Sequence, residues 1–359
     1  MSSKNVNIIT IHNEPNYGAI LQGYALYHTV ESLGYYPRMI NLGLQFRKYP
    51  YNLIYRFLVF LRNRIKGYSH CYKIASNFCK KHEQNLIGNF FSIEQLKKYK
   101  WPSNDVYMVG SDQVWNPFIT GNLLPAYTLS FLPDICTKRF SYAASLGHIK
   151  NENELALKLN IYNTLDKFTQ ITVREHFAVD FLAKNAITAT EVIDPTLLID
   201  SYDHLLPRKK NNLQQVLYLA LGDNDSMDNF ASGVASIYKL PLKKVYGYLQ
   251  PSSKINKKFL PVEEWLYQIA CSEVIVTDSF HAMVFSILFE RNFYVYISDP
   301  VKIFRIENIL NKLNLQHRIV NSLDAISVEE CIDYSNVHQK LADYRESSLR
   351  ILKGMLDQD

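Results

Sequence analysis

Residues Thr277 to His281, of sequence TDSFH, join two segments whose apolar residues recur with different periods. Val274 to Val276 form a β-branched run that suits a buried parallel strand, and the apolar residues after the junction recur with helical spacing. This change predicts a helix start with Asp278 or Ser279 as N-cap and His281 in the first turn. Such a start offers free N–H groups and partial positive charge to an anion, although the pattern also suits a histidine that only packs.

Polar residues also follow predicted strands in the first half of the chain. Because the carboxyl ends of parallel strands line the ligand crevice of an open α/β sheet, these residues predict a binding face. They are Asn16 and Gly18 after VNIITIH, Ser111, Asp112 and Trp115 after DVYMVG, and Arg174 at the end of QITVRE.

Each of these side chains has a chemical role and a structural alternative. Asp112 could serve as a general base or close a loop, and Trp115 could offer an apolar face to a sugar ring or belong to the core. Arg174 could hold a carboxylate or phosphate, or pair with Glu175. His281 could donate a proton or hold an anion. The sequence contains no GxGxxG, Walker A or HExxH motif, so dinucleotide, P-loop and zinc-protease functions lack support.

The elements that must position these residues alternate between strands and helices, which predicts an α/β fold of parallel βαβ units. We expect two doubly wound domains that face a cleft. The first spans residues 1–200 and carries a basic aromatic insertion at 45–82. The second spans 201–335, and residues 336–359 form a final helix that packs back on the first domain.

The amino-acid composition limits the classes of protein to which this chain can belong. The 359 residues are 47% hydrophobic and 20% charged, which is typical of a globular chain. The five cysteines are scattered without CxxC spacing, which argues against a disulfide framework or a zinc site. Neither a signal-like start nor an apolar run of about 18 residues is present, so we expect a cytoplasmic protein.

The net charge of +5 is unevenly distributed, because residues 33–81 contain basic side chains and no acidic ones. Segment 45–82 suits peripheral contact with the inner face of an anionic membrane, or a helical insertion with a solvated basic face. Nucleic acid is the weaker alternative, since no recognised binding motif accompanies the charge.

Several blocks, in order along the chain, resemble the polysaccharide pyruvyl transferase family. They are NYGAILQGYAL, VGSDQVWNP, YAASLG, ITVRE, VIDPTLL and TDSFHAMVFSILF, with FRIENILNKLNLQHRIV near the end. The resemblance covers residues 7 to about 352, and GSDQVW and DSFH are its most specific parts. It implies two Rossmann-like domains in a GT-B-like arrangement, and transfer of the enolpyruvyl group of phosphoenolpyruvate to a sugar acceptor.

The resemblance also implies roles for particular residues. His281 matches the family's key histidine, Arg174 the candidate anion contact, and Asp112 the acidic residue of the GSD block; Arg305 joins the expected substrate contacts. Two departures are Ala282, where Gly often follows the histidine, and Phe304, where a Ser commonly precedes the arginine.

In the mechanism that we expect, His281 protonates phosphoenolpyruvate or neutralises the departing phosphate. Arg174 grips the carboxylate bidentately, Asp112 takes the proton of the attacking hydroxyl, and the helix start at Asp278 and Ser279 binds the phosphate. The acceptor is a polysaccharide or its lipid-linked precursor, and neither metal nor cofactor is required. The alternatives are a GT-B glycosyltransferase that uses a nucleotide sugar and a non-catalytic scaffold of glycan assembly.

Overall fold

The computed structural model describes residues 4–42, 68–82, 85–147, 151–159, 164–246, 260–297 and 300–358. Within them, two separate parallel sheets are covered by helices. The central strands of both sheets are short runs rich in Val, Ile, Leu and Tyr that are buried on both faces, as is usual for parallel strands, whereas the edge strands are partly exposed.

The first sheet has seven parallel strands in the order β3-β2-β1-β4-β5-β6-β7. The strands are β1 (Asn5–Ile9), β2 (Tyr36–Leu42), β3 (Leu86–Phe90), β4 (Val106–Val109), β5 (Arg139–Ala144), β6 (Gln170–Val173) and β7 (Thr190–Glu191). The helices that accompany it are α1 (Tyr17–Ser32), α2 (Tyr68–Lys81), α3 (Ile93–Lys98), α4 (Pro117–Thr120), α5 (Leu124–Tyr127), α6 (Glu152–Leu159) and α7 (His176–Lys184).

The second sheet has five parallel strands in the order β12-β11-β10-β8-β9. The strands are β8 (Leu213–Ala220), β9 (Leu242–Tyr246), β10 (Ser272–Thr277), β11 (Asn292–Tyr296) and β12 (Ile319–Val320). The helices are α8 (Asp225–Tyr238), α9 (Val262–Cys271), α10 (Phe280–Leu288), α11 (Pro300–Lys312) and α12 (Tyr334–Leu356). Together the two sheets give the expected α/β fold with two Rossmann-like domains.

Each sheet has one point where the direction of winding reverses. In the first sheet this switch lies between β1 and β4, and in the second between β8 and β10. Ligands of doubly wound folds bind at such switch points, outside the carboxyl ends of the strands. Asn16 and Asp112 lie in the loops that follow these strands, and Gly18 and His281 lie in the first turns of the helices that follow them. The fold therefore places all four residues where ligands of doubly wound proteins bind.

The two sheets share one apolar core. Val6 and Ile8 of β1 belong to the same buried cluster as Leu217 of β8 and Ile275 of β10. Helix α12 returns to the first sheet, where Ser348 Oγ accepts from the Ile193 backbone N–H at 3.2 Å. Because the core is continuous, the position of each sheet is fixed by packing against the other.

The basic aromatic insertion predicted at 45–82 lies partly outside the described residues. Its described part, residues 68–82, contains helix α2, whose last residue Lys81 donates to Glu263 of α9 at 2.6 Å. This end of the segment therefore contacts α9 of the second domain as well as α1 of the first. In the described residues, no helix is long and apolar enough to cross a membrane.

Candidate active site between the two sheets

The loop after β10 is locked by short hydrogen bonds before α10 begins. Thr277 Oγ1 donates to the Leu219 carbonyl at 2.9 Å and accepts from the Ser279 N–H at 3.0 Å. Ser279 is the N-cap, accepting from the Ala282 N–H at 3.4 Å. Asp278, the other predicted cap, instead accepts from the Leu221 N–H at 3.2 Å and joins the β10 and β8 loops. His281 is thereby fixed in the first turn of α10.

His281 packs against the start of α1 in the first domain. Asn16 caps α1 by accepting from the Ala19 N–H at 3.3 Å, and Gly18 follows in the first turn. A Cβ atom placed on Gly18 would lie 2.1 Å from His281 Nδ1, far closer than any side chain tolerates. The imidazole is 12% exposed. Gly18 thus acts by leaving room for the histidine of the opposite sheet.

Asp194, three residues after the end of the short strand β7, accepts hydrogen bonds from several residues of the site. Its fully buried carboxylate accepts from Ser111 Oγ at 3.0 Å and from Arg174 Nη1 at 2.9 Å. Thr196 donates its N–H at 3.0 Å and its hydroxyl at 2.6 Å to the other oxygen. His281 Nε2 lies 3.8 Å from Asp194 Oδ2. One carboxylate therefore connects both sheets.

Arg174 is buried at the end of β6, with its guanidinium held in a fixed orientation. Nε donates to Glu175 Oε1 at 3.0 Å, Nη1 donates to Asp194, and the group lies 4.8 Å from the centre of the Phe280 ring. Ser145 Oγ also donates to Glu175 Oε1, at 2.7 Å. Two of the three guanidinium nitrogens are thus already engaged.

Three buried polar atoms at this place have no hydrogen-bond partner among the residues that the structure describes. They are Arg174 Nη2, Glu175 Oε2 and His281 Nε2. An unpaired polar atom in a protein interior costs about 1–3 kcal/mol, so native structures rarely retain one without a reason. Three such atoms close together indicate a site that a polar ligand completes.

A cleft beside these atoms is lined by residues of the first domain and of α10 and α11. Its polar and charged lining consists of Arg174, Glu175, Asp194, Arg305, Asn308 and Lys312. Lys312 Nζ and Asn308 Nδ2 both donate to Glu191 Oε1, at 2.6 and 2.8 Å. Arg305 has no hydrogen bond or ion pair with any other residue in the described part of the chain. It is the cation of the cleft that is free to bind an anion.

Burial decides the charge of His281 in the protein without ligand. It lowers the pKa of the imidazole below its ordinary value of 6.5, Asp194 opposes that shift, and Arg174 and Arg305 reinforce it. The imidazole is therefore mainly neutral at pH 7. An anion bound beside it would raise this pKa again.

The Asp194 carboxylate is ionised. Burial alone would raise the pKa of this group, but His281 and Arg174 and the hydrogen bonds from Thr196 and Arg174 outweigh burial and lower it to about 2. Burial also lowers the pKa of Arg305, and the neighbouring charge of Arg174 adds to this effect. Arg174 and Arg305 therefore approach each other in a place where Glu175, Asp194 and Asp112 offset their positive charges.

The structure assigns different positions to the residues predicted after VYMVG. Asp112 has a left-handed backbone (φ 75°), and its carboxylate is close enough to Arg174, His281 and Arg305 to shift their pKa values. Ser111 is buried and supports Asp194. The proposed sugar-binding role of Trp115 is wrong. Its ring is fully buried and Nε1 donates to the Tyr127 carbonyl at 2.9 Å, so the indole is a core residue.

Sequence reasoning did not select Asp194 or Glu175 as site residues. Asp194 lies in VIDPTLL, where an acidic residue follows an apolar strand-like run, and this is the same signal that selected Asp112. The pattern could have found it. Its contacts to Ser111 and Arg174, 83 and 20 residues away in sequence, could not be read from the chain.

The fold and the site define a two-domain protein of the GT-B type with a cluster of buried charged residues between its sheets. A family model for polysaccharide pyruvyl transferase matches residues 16–300, and the chain belongs to that family. A search among curated proteins gives no match.

Solved structures with the same fold have low sequence identity to this chain. One is described as a UDP-N-acetylglucosamine 2-epimerase from Listeria monocytogenes (TM-score 0.59, 11% identity, 98% of this chain and 95% of that chain). Another is Arabidopsis thaliana UGT89C1 with UDP-L-rhamnose (TM-score 0.55, 11% identity, 100% of both chains). At these identities the similarity shows the fold alone.

Proposed function

We propose that this chain transfers the enolpyruvyl group of phosphoenolpyruvate to a sugar of a cell-surface polysaccharide or its lipid-linked precursor, forming a pyruvate ketal and releasing phosphate. The observation that carries this proposal is the group of unpaired polar atoms on Arg174, Glu175 and His281 next to the free guanidinium of Arg305. Phosphoenolpyruvate brings two anionic groups, a carboxylate and a phosphate, and the cleft offers two arginines and a helix N-terminus.

Bidentate binding of the substrate, which we expected of Arg174, is proposed for Arg305 instead. Because Arg174 Nε and Nη1 already donate to Glu175 and Asp194, Nη2 is the guanidinium nitrogen left without a partner, and a fork formed by two free nitrogens is not available on this residue. Arg305 retains its whole guanidinium fork, so bidentate binding falls to this residue. The start of α10, capped by Ser279, would hold the remaining phosphate oxygens.

The reaction requires protonation of the methylene carbon of phosphoenolpyruvate. Its second carbon then becomes oxocarbenium-like, and the oxygen of one sugar hydroxyl adds to it while the hydroxyl proton passes to a base. The carbon–oxygen bond to phosphate breaks and phosphate leaves with the bonding electron pair. A second sugar hydroxyl adds to the same carbon, loses its proton and closes the ketal.

His281 and Asp112 are the groups proposed to move these protons. The neutral imidazole becomes a better proton acceptor when the substrate's negative charges arrive, and once protonated it can serve as the acid or hold the phosphate. Asp194 would then stabilise the imidazolium from 3.8 Å. Asp112 would take the proton of the attacking hydroxyl.

The test is phosphate release from phosphoenolpyruvate with membrane-extracted lipid-linked glycans as acceptor, comparing the wild type with His281→Ala. Acceptor-dependent release that disappears in the variant supports pyruvyl transfer. No release with any acceptor pool, together with thermal stabilisation by a nucleotide sugar and none by phosphoenolpyruvate, would favour a glycosyltransferase. Full activity after changes of Asp112, Arg174 and His281 would remove them from the chemistry.

A further inference from the structure

Three asparagines form a row across the carboxyl edge of the first sheet. Asn13 Nδ2 donates to Asn41 Oδ1 at 2.7 Å, and Asn41 Nδ2 donates to Asn89 Oδ1 at 3.3 Å. The residues come from the β1 loop and from the ends of β2 and β3, which are neighbours in the sheet. We refer to Asn13, Asn41 and Asn89 as the amide row.

A bulge between β2 and β3 creates this row. The pairing steps from Ile40↔Ile87 to Leu42↔Phe90, so that Asn41 faces two residues of β3 instead of one. The extra residue is accommodated because Gly88 takes a left-handed conformation (φ 61°), which a side chain would strain. Bulges of this kind re-aim side chains next to functional sites, and here the bulge brings Asn89 to Asn41.

An exposed aromatic ring lies at the outer end of the row. Phe91 follows directly after β3 and is 41% exposed, whereas Phe90 before it is buried. Side chains alternate between the two sides of an extended segment, so Asn89 and Phe91 share the exposed side. The row therefore has an exposed aromatic ring beside amide groups that retain hydrogen-bonding capacity.

The chemistry of this surface matches a neutral sugar. The hydrogen bonds within the row leave an acceptor on Asn13 Oδ1 at one end and the donors of Asn89 Nδ2 at the other, so the row as a whole can accept from one sugar hydroxyl and donate to another. The Phe91 ring offers an apolar face to the C–H groups of a pyranose. Since the row carries no charge, a uronic acid gains no ion pair there.

The inner end of the row lies in the loop that leads to α1. Asn13 and Asn16 belong to this loop, and Gly18 in the first turn of α1 faces His281. Strands in a sheet are about 4.8 Å apart, so the row reaches roughly 10 Å outward from this loop to β3. It therefore lies on the side of β1 away from Arg174.

We propose that Asn13, Asn41, Asn89 and Phe91 form a subsite for a neutral hexose unit of the acceptor glycan, next to the sugar that receives the pyruvyl group. This inference rests on the proposed function for its role in the reaction, but not for the binding itself. Direct binding can therefore be measured without turnover.

The experiment measures binding of neutral trisaccharides of glucose, galactose and mannose to the purified full chain by saturation-transfer NMR. The variants are Asn41→Ala and Phe91→Ala. Asn104→Ala and Tyr36→Ala are matched controls, because Asn104 is exposed just before β4 and Tyr36 is exposed at the amino end of β2. Thermal melts in the absence of sugar verify that each variant folds.

We expect the wild type to bind at least one trisaccharide and each subsite variant to bind it about tenfold more weakly, while the controls are unchanged. No binding by the wild type, or equal binding by the folded subsite variants, would overturn the subsite. Saccharide binding at the row without phosphate release would contradict only the proposed reaction. If Asn41→Ala still releases phosphate and its KM for the acceptor is unchanged, only the subsite is contradicted.

Discussion

Asp194 Oδ2 and His281 Nε2 lie 3.8 Å apart although they belong to different sheets. The same carboxylate oxygen accepts from Arg174 Nη1 at 2.9 Å, so the position of the imidazole relative to the anion-binding arginine is set through one aspartate. Asp194 is a positioning residue in this arrangement. It does not need to contact the substrate to control the proton affinity of His281.

Replacing Asp194 by Asn tests this relationship. The amide leaves Arg174 with Glu175 as its remaining buried carboxylate partner, which we expect to lower the free energy of unfolding at pH 7 by about 3 kcal/mol. The loss of the negative charge should also lower the pKa of His281, so that the phosphate-release activity that depends on it declines at a lower pH. Denaturant unfolding and the pH dependence of phosphate release measure the two effects.

The pH dependence of stability has a defined sign. The pKa of Asp194 in the folded protein is about 2, below the unfolded value of about 3.9, so its stabilisation is present above about pH 4 and is lost as the pH falls toward 2. The stability difference between wild type and Asp194→Asn should shrink over that window. Asp200→Asn is the control, because its ion pair with Arg345 is at the surface. A constant difference from pH 7 to pH 2 would contradict the assignment.

His281→Gln should reduce phosphate release by about 10²–10⁴-fold, the usual contribution of general acid–base catalysis. In the wild type, kcat/KM for phosphoenolpyruvate should fall as the pH rises through the lowered pKa of His281, at a midpoint below 6.5. The variant should lack this limb. His338→Gln, at an exposed position of α12, serves as control. Retention of the limb in His281→Gln would assign it to another group.

Gly18→Ala should impair activity without the stability gain that Ala usually gives in a helix. The new Cβ would lie 2.1 Å from His281 Nδ1, so the imidazole must move, and a displacement of this size can cost about 10²-fold in kcat. Gly354→Ala in α12 is the matched control, because nothing lies within 4 Å of its Cβ and it should stabilise the protein by about 0.5–1 kcal/mol. Wild-type kinetics in Gly18→Ala would show that the contact is unimportant.

Arg305→Gln should raise KM for phosphoenolpyruvate by about 10–100-fold, the value of a hydrogen bond to a charged group. Arg305→Lys should restore only part of the affinity, since an ammonium cannot form the bidentate fork. Steady-state kinetics with varied phosphoenolpyruvate measure this, with Arg350→Gln on the exposed side of α12 as control. An unchanged KM in Arg305→Gln would place the donor elsewhere.

The sequence predicted the parts of this structure that depend on local pattern. The strand-to-helix change at TDSFH located β10 and α10, and Ser279 is one of the two caps it allowed. Strands β2, β3 and β12 were not predicted, because Pro37 and Arg38 interrupt the apolar pattern of β2 and because β3 and β12 are short. Trp115 was misjudged because burial of a ring after a strand depends on helices distant in sequence. Asp194 was missed for the same reason, since its importance comes from partners in other elements.

The contact between Gly18 and His281 also constrains how such chains can evolve. A side chain at position 18 is compatible with the histidine only if α10 shifts away from α1, and the helix is held by bonds from Thr277 and Asp278 to the β8 strand and loop. We therefore expect substitutions at these positions to occur together, never singly. In related sequences, a residue larger than glycine at position 18 would indicate that the histidine occupies a different position or no longer takes part in proton transfer.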